Sequence, residues 1–192
     1  MKAQNDILGI TGVVLAGGES SRMEEDKSLI LFRKKKLIDF SLIALKPYCK
    51  EVFISSSKIV HQAFDYKIIK DEYDNIGPIA GIHSALKNAT TDYVIILPCD
   101  SPMVKKQFIE FLISEIAEDI DAVIPKNKEL LEPLFGIYHK RILPVIEKQI
   151  IRKDYKLGHL IEKINTKIIE VQDRSCFINI NTKSDFQKYL SV

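Results

Sequence analysis

Two adjacent glycines followed by two basic residues are the first group in the chain that could bind a charged ligand. Gly17 and Gly18 directly follow the apolar run Gly12–Ala16, and Arg22 and Lys27 come shortly after them. Glycine allows a sharp turn whose exposed N–H groups form a cradle for anions. The segment has neither the sequence of a P-loop nor that of a GxGxxG dinucleotide site. Alone it is also typical of a plain tight turn, but with both basic residues it favours a phosphate-binding loop.

A carboxylate, Asp100, stands just after the apolar run Tyr93–Leu97. The carboxyl ends of parallel strands form the ligand-binding edge of open α/β sheets. Mg²⁺ is typically held at such a place by one or two carboxylates and the substrate phosphates. A helix cap is the alternative role for Asp100, but Pro102 and the distance to Lys105 disfavour it. The sequence therefore predicts that Asp100 is a metal ligand.

A second carboxylate, Asp71, follows the short apolar run Lys67–Ile69 and is expected at the same edge. Gly77 and Gly81 come next and open a helix. Because glycine has no side chain, a planar base or a ribose could pass close to the backbone at both positions. Pro78 fits a plain helix start, where proline is common in the first turn, but Gly81 does not have that explanation. We interpret this segment as a nucleoside-binding segment.

Two asparagines alternate with apolar residues in Phe177–Thr182. Alternation places Asn179 and Asn181 on the same side of an extended segment. They belong either to an edge or turn, or to the lining of the site, and the residues alone leave both interpretations open.

Short apolar runs alternate with amphipathic segments along the chain, which predicts parallel strands joined by crossover helices. The predicted strands are Gly12–Ala16, Val52–Ser55, Lys67–Ile69, Tyr93–Leu97, Ala122–Ile124, Leu134–Tyr138 and Lys167–Val171. The predicted helices are Ile38–Leu45, Ile79–Asn88, Lys105–Ala117, Pro144–Ile151, Gly158–Ile164 and Thr182–Leu190. Thr182, followed three residues later by Asp185, is typical of a helix N-terminus.

Composition places the chain among ordinary globular proteins. Its 192 residues suit one domain. A hydrophobic content of 46% with 28% charged residues excludes a disordered, collagen-like or disulfide-scaffold protein. The net charge of +2, from 28 basic and 26 acidic residues, shows no basic excess of the kind that nucleic-acid binding needs. The apolar segment Ile7–Ala16 is about half as long as a membrane span.

The three cysteines, Cys49, Cys99 and Cys176, are odd in number and widely spaced. They match neither a metal-binding spacing nor a closed set of disulfides. Free thiols are typical of a reducing cytosol, so a cytoplasmic location is expected.

The chain resembles the molybdenum cofactor guanylyltransferases, which are MobA-like nucleotidyltransferases, in the ordered segments LAGGESSRM, DK, KDEYDNIGPIAGI, PCDSP, EPLFGIY and FININT. This resemblance extends from Gly12 to Asp185. It implies a three-layer, Rossmann-like α/β fold with a mostly parallel sheet and one antiparallel strand. It also implies a single domain, 1–192, with a nucleotide-binding half near 7–104 and an acceptor-binding half near 105–192.

The resemblance also implies roles for particular residues. The positions implied to contact the nucleotide are Leu15, Ala16, Gly17, Gly18, Lys27, Ser55, Asp71, Gly77, Gly81 and Asp100. Lys27 is implied to grip the phosphates, and Asp100 to hold Mg²⁺. Together with Arg22, these two residues form the implied catalytic group.

The activity that the resemblance implies is transfer of GMP from GTP to molybdenum-bearing molybdopterin, with release of pyrophosphate. Asn179 and Asn181 match the family's NxNT motif, and they are implied to bind the acceptor together with Lys156. The expected partners are GTP, the molybdopterin cofactor and molybdoenzymes or other cofactor-pathway proteins, without nucleic acid or membrane. Two alternatives stay open: a nucleotidyltransferase that uses CTP or another small acceptor, and a nucleotide-binding regulatory protein without turnover.

Overall fold

The protein is built on a central β-sheet that carries helices on both faces. A computed structural model describes residues 9–18 and 26–190. The strands are β1 (Ile10–Leu15), β2 (Leu31–Phe32), β3 (Lys35–Lys36), β4 (Glu51–Ser55), β5 (Lys67–Ile69), β6 (Tyr93–Pro98), β7 (Ala122–Asn127), β8 (Leu130–Leu131), β9 (Ile137–His139) and β10 (Thr166–Glu170). The helices are α1 (Leu37–Leu45), α2 (Pro78–Asn88), α3 (Lys106–Ser114), α4 (Leu143–Ile151), α5 (Leu157–Lys163) and α6 (Lys183–Leu190).

The strand order in the main sheet is β10-β7-β9-β6-β1-β4-β5, with β8 paired to β7. Along this path β9 runs antiparallel to both of its neighbours, β6 and β7, while the other pairs are parallel. Strands β2 and β3 form a separate small hairpin. The predicted α/β fold with a mostly parallel sheet is confirmed.

The hydrophobic core lies on both faces of this sheet. On one face α1 and α3 pack through residues such as Ile38 and Ile109, and on the other α2, α4 and α5 pack through residues such as Ile82 and Ile146. Strand β6 is buried along its whole length, as expected of a strand covered on both faces. The elements therefore form three layers, helix–sheet–helix.

Three predicted elements differ clearly from the structure, one of them being β7, which continues three residues beyond its predicted end at Ile124. The run Leu134–Tyr138 is divided, because Pro133–Phe135 forms a 3₁₀ turn and β9 begins only at Ile137. Proline favours the first position of such a turn, and a short apolar run does not distinguish turn from strand. The helix predicted over Lys105–Ala117 ends earlier, at Ser114.

Arg33 and Lys34 have φ values of 47° and 66° and form the turn between β2 and β3. One predicted local feature, the start of the last helix, is confirmed. At the start of α6, the Asp185 N–H donates to Thr182 Oγ1 at 3.1 Å, and the Thr182 N–H donates to Asp185 Oδ2 at 2.9 Å. These reciprocal bonds match the helix start that Thr182 and Asp185 predicted.

Replacing Gly136 by alanine should destabilise the protein, because the new Cβ would stand 2.6 Å from Ile124 Cδ1 and 3.0 Å from the Val123 carbonyl oxygen. Overpacking of this kind costs about 1–3 kcal/mol, which urea unfolding would measure. Gly158→Ala is the matched control, since no atom lies within 4 Å of a Cβ at that position in α5. Alanine should stabilise the helix there by roughly 0.5–1 kcal/mol. Equal stability of the two variants would contradict the packing role of Gly136.

Candidate active site

A large cavity of about 720 Å³ opens where β1, β4, β5 and β6 end. Its volume is suited to a small-molecule ligand, for which pockets of roughly 300–1,000 Å³ are usual. The predicted site residues that line it are Leu15, Gly17, Gly18, Lys27, Ser55, Asp71, Gly77, Gly81, Asp100 and Asn179. The structure thus brings together residues that the sequence keeps far apart.

Lys27 and Asp100 form the charged centre of the cavity. Lys27 Nζ donates to Asp100 Oδ2 at 2.5 Å and to Asn181 Oδ1 at 3.2 Å. The Asp100 residue is only 5% exposed. A buried carboxylate is costly unless it is paired, and Lys27 is the partner that the fold provides for Asp100.

The segment that carries the two asparagines is anchored beside the end of β6. The Ile180 N–H donates to the Asp100 carbonyl at 2.9 Å, and Ser101 Oγ donates to Asn179 Oδ1 at 2.6 Å. Asn179 lines the cavity, while Asn181 bonds to Lys27. Both asparagines therefore lie beside the Lys27–Asp100 pair, and Asn181 also belongs to the turn before α6, where its N–H donates to Asp185 Oδ2 at 3.1 Å. Acceptor binding by the two asparagines stays a prediction.

Asp71 lies on the other side of the cavity, just beyond β5. Its Oδ1 accepts a hydrogen bond from Ser55 Oγ at 2.8 Å. A Cβ at Gly17 would stand 3.7 Å from Asp71 Oδ2, so the glycine loop and this carboxylate are close neighbours. Burial raises the pKa of Asp71, and the bond from Ser55 offsets part of that rise. Asp71 thus places a partly buried carboxylate at the cavity, and its contact with a nucleotide stays a prediction.

Gly77 and Gly81 line the cavity, and the fold itself requires glycine at both positions. Gly77 has a φ of 78°, in the left-handed region that favours glycine. A Cβ at Gly81 would stand 2.9 Å from Leu15 Cδ2, so its missing side chain lets α2 approach β1. Pro78 occupies the first turn of α2, in agreement with its interpretation as part of a plain helix start. Ligand contact by the two glycines stays a prediction.

Two further predicted residues lie outside the cavity lining, and a third falls on a part of the chain that the structure does not describe. Ala16 is buried and outside the cavity lining, and its N–H donates to the Ser55 carbonyl at 2.9 Å. Lys156 is exposed just before α5, next to the cavity-lining Leu157, and is not itself among the lining residues. Arg22 lies outside the described residues.

Lys58 is a contributor to the site that sequence reasoning missed. Its Nζ donates to the Gly18 carbonyl at 3.0 Å and pairs with Asp26 Oδ2 at 2.9 Å. The lysine therefore bridges the end of the glycine turn and the residue before Lys27. Only the three-dimensional fold reveals this contact, because a single lysine in a loop has no distinguishing pattern.

A buried histidine, His61, was also missed and supports the turn that carries Lys27. Ser28 Oγ donates to Asp26 Oδ1 at 2.6 Å, so it accepts from His61 Nε2 at 2.7 Å. The other ring nitrogen, Nδ1, then accepts from Ser56 Oγ at 2.6 Å. The Ser28–Asp26 bond thus assigns a proton to Nε2, and burial, which lowers the pKa of His61, favours the neutral ring with Nδ1 as acceptor. The Asp26 and Ser28 pair is an Asx turn, the one local signal that the sequence offered.

The cysteines supply no nucleophile to the site. All three are free, as predicted. Cys99 lines the cavity beside Asp100, and burial raises its pKa to about 12, so it is a thiol at neutral pH.

No helix in the described part of the chain is long and apolar enough to cross a membrane. The compartment stays a prediction.

A glycine turn, a buried carboxylate with a lysine and a cavity at the strand ends are typical of an α/β protein that binds a phosphorylated small molecule. The family described as MobA-like NTP transferase domain matches residues 12–168, and the chain belongs to that family. It is 33% identical over 182 residues to molybdenum cofactor guanylyltransferase from Vibrio campbellii, covering 92% of this chain and 93% of the relative.

Two further matches cover nearly the whole chain. A probable molybdenum cofactor guanylyltransferase from Carboxydothermus hydrogenoformans is 32% identical, over 95% of this chain and 96% of the relative. The crystal structure of molybdopterin-guanine dinucleotide biosynthesis protein A from Archaeoglobus fulgidus has a TM-score of 0.79 and 27% identity, over 93% of this chain and 95% of that one. The predicted family is confirmed.

The free energy of unfolding should decrease in mildly acidic solution, partly through His61. Burial lowers the pKa of His61, and the Asp26 carboxylate offsets only part of that effect. Below the ordinary histidine pKa of about 6.5, the unfolded state then binds more protons than the folded state. Urea unfolding at about pH 7.5 and pH 5.5 should show a smaller decrease for His61→Gln than for wild type.

His159→Gln serves as the control for this measurement, because His159 is partly exposed and its Nδ1 lies 2.9 Å from Asp154 Oδ1. That variant should not reduce the pH-dependent decrease. The same pH dependence in His61→Gln and wild type would contradict the neutral, buried state assigned to His61.

Proposed function

We propose that this protein transfers GMP from GTP to molybdenum-bearing molybdopterin, forming molybdopterin guanine dinucleotide and pyrophosphate. The observation that carries the proposal is the Lys27–Asp100 pair, 2.5 Å apart, between the glycine turn and Asn179 in one cavity. The end-to-end similarity to relatives named molybdenum cofactor guanylyltransferase supports the choice of substrates.

The reaction needs positioning and charge stabilisation more than covalent help from the protein. An oxygen of the acceptor phosphate attacks the α-phosphorus of GTP, the bond to the β-phosphate oxygen breaks, and pyrophosphate leaves. Lys27 places a positive charge against the phosphates, where negative charge develops on the leaving group. The N–H groups of the Gly17–Gly18 turn add uncharged donors beside it. Arg22 completes the proposed catalytic group.

Asp100 has the chemistry of a Mg²⁺ ligand. Lys27 contacts its Oδ2, while Oδ1 has only a long 3.5 Å contact from Ser101 Oγ among the described residues. No three His, Cys, Asp or Glu side chains in residues 9–18 and 26–190 cluster as a complete metal site. A cation would therefore share Asp100 with substrate phosphates, an arrangement typical of Mg²⁺. Bound there, Mg²⁺ would supply neutralisation of the phosphate charge.

GTP with Mg²⁺ should stabilise the protein more than CTP, UTP or ATP. Guanine presents adjacent N–H and NH₂ donors, which the Asp71 carboxylate accepts in this proposal. A ligand that binds only the folded state stabilises it by RT ln(1 + [L]/Kd), so thermal shifts at equal concentration rank the four nucleotides. Product analysis with molybdopterin then tests the transfer itself. A larger thermal shift with CTP, together with a cytidine-containing product, would show that the protein transfers CMP and would contradict GMP transfer.

Lys27→Met should lower the turnover rate by a factor on the order of 10²–10³, because one preorganised charge contact to the phosphates is lost. The melting temperature is measured alongside, since Asp100 loses its partner in this variant. Lys50→Met removes the same charge from an exposed turn and should leave turnover unchanged. Turnover of Lys27→Met within a few-fold of wild type would contradict the phosphate contact.

A further inference from the structure

The Glu132 carboxylate lies in the cavity and makes little contribution to the hydrogen bonding of the described fold. It is half-buried and lines the cavity just before the turn Pro133–Phe135, yet its side chain does not cap that turn. Its hydrogen bond from Asn127 Nδ2 is long, at 3.5 Å. Burial raises the pKa of Glu132, and Asn127 offsets only part of that rise. A carboxylate that is desolvated with so little compensation is typical of a ligand-binding position.

The sheet order places Glu132 and Asp71 on opposite sides of the charged centre. Asp100 follows β6, in the middle of the sheet, and Asp71 follows β5, at one edge. Glu132 lies between β8 and β9, on the side of β6 away from β5. Leu134 and Leu157 line the cavity as well and add apolar surface. Among the described residues, the cavity thus has one carboxylate on each side of the Lys27–Asp100 pair.

The proposed reaction joins two substrates whose rings share one hydrogen-bonding edge. Guanine and pterin are both 2-amino-4-oxopyrimidine systems, and each offers an N–H donor beside an NH₂ donor. A carboxylate accepts two such parallel bonds, one on each oxygen. When the reacting phosphates occupy the centre, the two rings extend to opposite sides of it.

We propose that Glu132 recognises the pterin ring of the acceptor, accepting hydrogen bonds from its ring N–H and its 2-amino group. Leu134 and Leu157 provide apolar surface for the ring. The inference rests on the proposed function, because that function supplies the pterin acceptor and assigns guanine to the Asp71 side. It makes Glu132 a specificity-determining residue, distinct from the phosphate-binding group.

The test compares Glu132→Gln with Glu129→Gln, using pterin and lumazine as probes. Lumazine carries an oxygen where pterin has the 2-amino group, so it repels a carboxylate but pairs with the amide of glutamine. Wild type should bind pterin more tightly than lumazine, and Glu132→Gln should weaken pterin binding about 10- to 100-fold and lose that preference. Glu129 is the control because its side chain is 92% exposed, and it should behave as wild type.

Kinetics separates ring recognition from a structural role. In Glu132→Gln the KM for molybdopterin should rise, while the KM for GTP, the GTP thermal shift and the melting temperature stay as in wild type. An unchanged preference for pterin over lumazine would overturn the inference. So would an equal loss of the GTP shift, because Glu132 would then serve the nucleotide.

The failure of this inference is distinguishable from the failure of the proposed function. Dinucleotide formation by wild type, with an unchanged molybdopterin KM in Glu132→Gln, would refute the role of Glu132 alone. Absence of any dinucleotide from wild type, with pterin preference still dependent on Glu132, would refute guanylyl transfer and support ring recognition.

Discussion

Burial of the Asp100 carboxylate is the constraint on which the rest of the site depends. At 5% exposure this group needs a compensating charge, and Lys27 supplies it. Lys27 can reach Asp100 only if its own turn is held in place, which is the task of the Asp26–Ser28–His61 chain and of Lys58. One buried negative charge thus explains why polar residues from four separate segments converge at the end of β6.

Because strand β9 is antiparallel, the cavity has polar residues on both sides of the Lys27–Asp100 pair. A purely parallel sheet would continue with a crossover helix beside β6. Here β9 instead runs back between β6 and β7, and the β8–β9 connection lies at the same edge as the carboxyl end of β6. That connection brings Glu132 to the cavity from the side opposite Asp71. The antiparallel strand β9 therefore provides the side of the cavity that carries Glu132. The parallel strands β1, β4, β5 and β6 alone would leave the cavity open on that side.

The sequence predicted the parts of the site that follow from strand order and failed on those that follow from long-range contacts. Asp71 and Asp100 were found because carboxylates after parallel strands meet at one edge, whatever the details of packing. His61 and Lys58 were missed because their partners are set by how the loops after β1 and β4 pack together. The division of the predicted strand Leu134–Tyr138 into a 3₁₀ turn and β9 was missed for a related reason. Tertiary packing around Gly136 determines where β9 begins, and the hydrophobic periodicity of so short a run does not.

The bond between Lys27 and Asn181 joins residues 154 positions apart in the chain. At a synthesis rate of roughly 5–20 residues per second, Asn181 is added some 8–30 seconds after Lys27. The β1, β4 and β5 region can therefore form its core while the ribosome still holds the later segments. The Lys27–Asp100 pair, by contrast, gains its contact with Asn181 only when the segment just before α6 has been added. The charged centre of the cavity thus includes a contact whose two residues are separated by nearly the whole sheet, since every strand of the sheet except β1 lies between them in the chain.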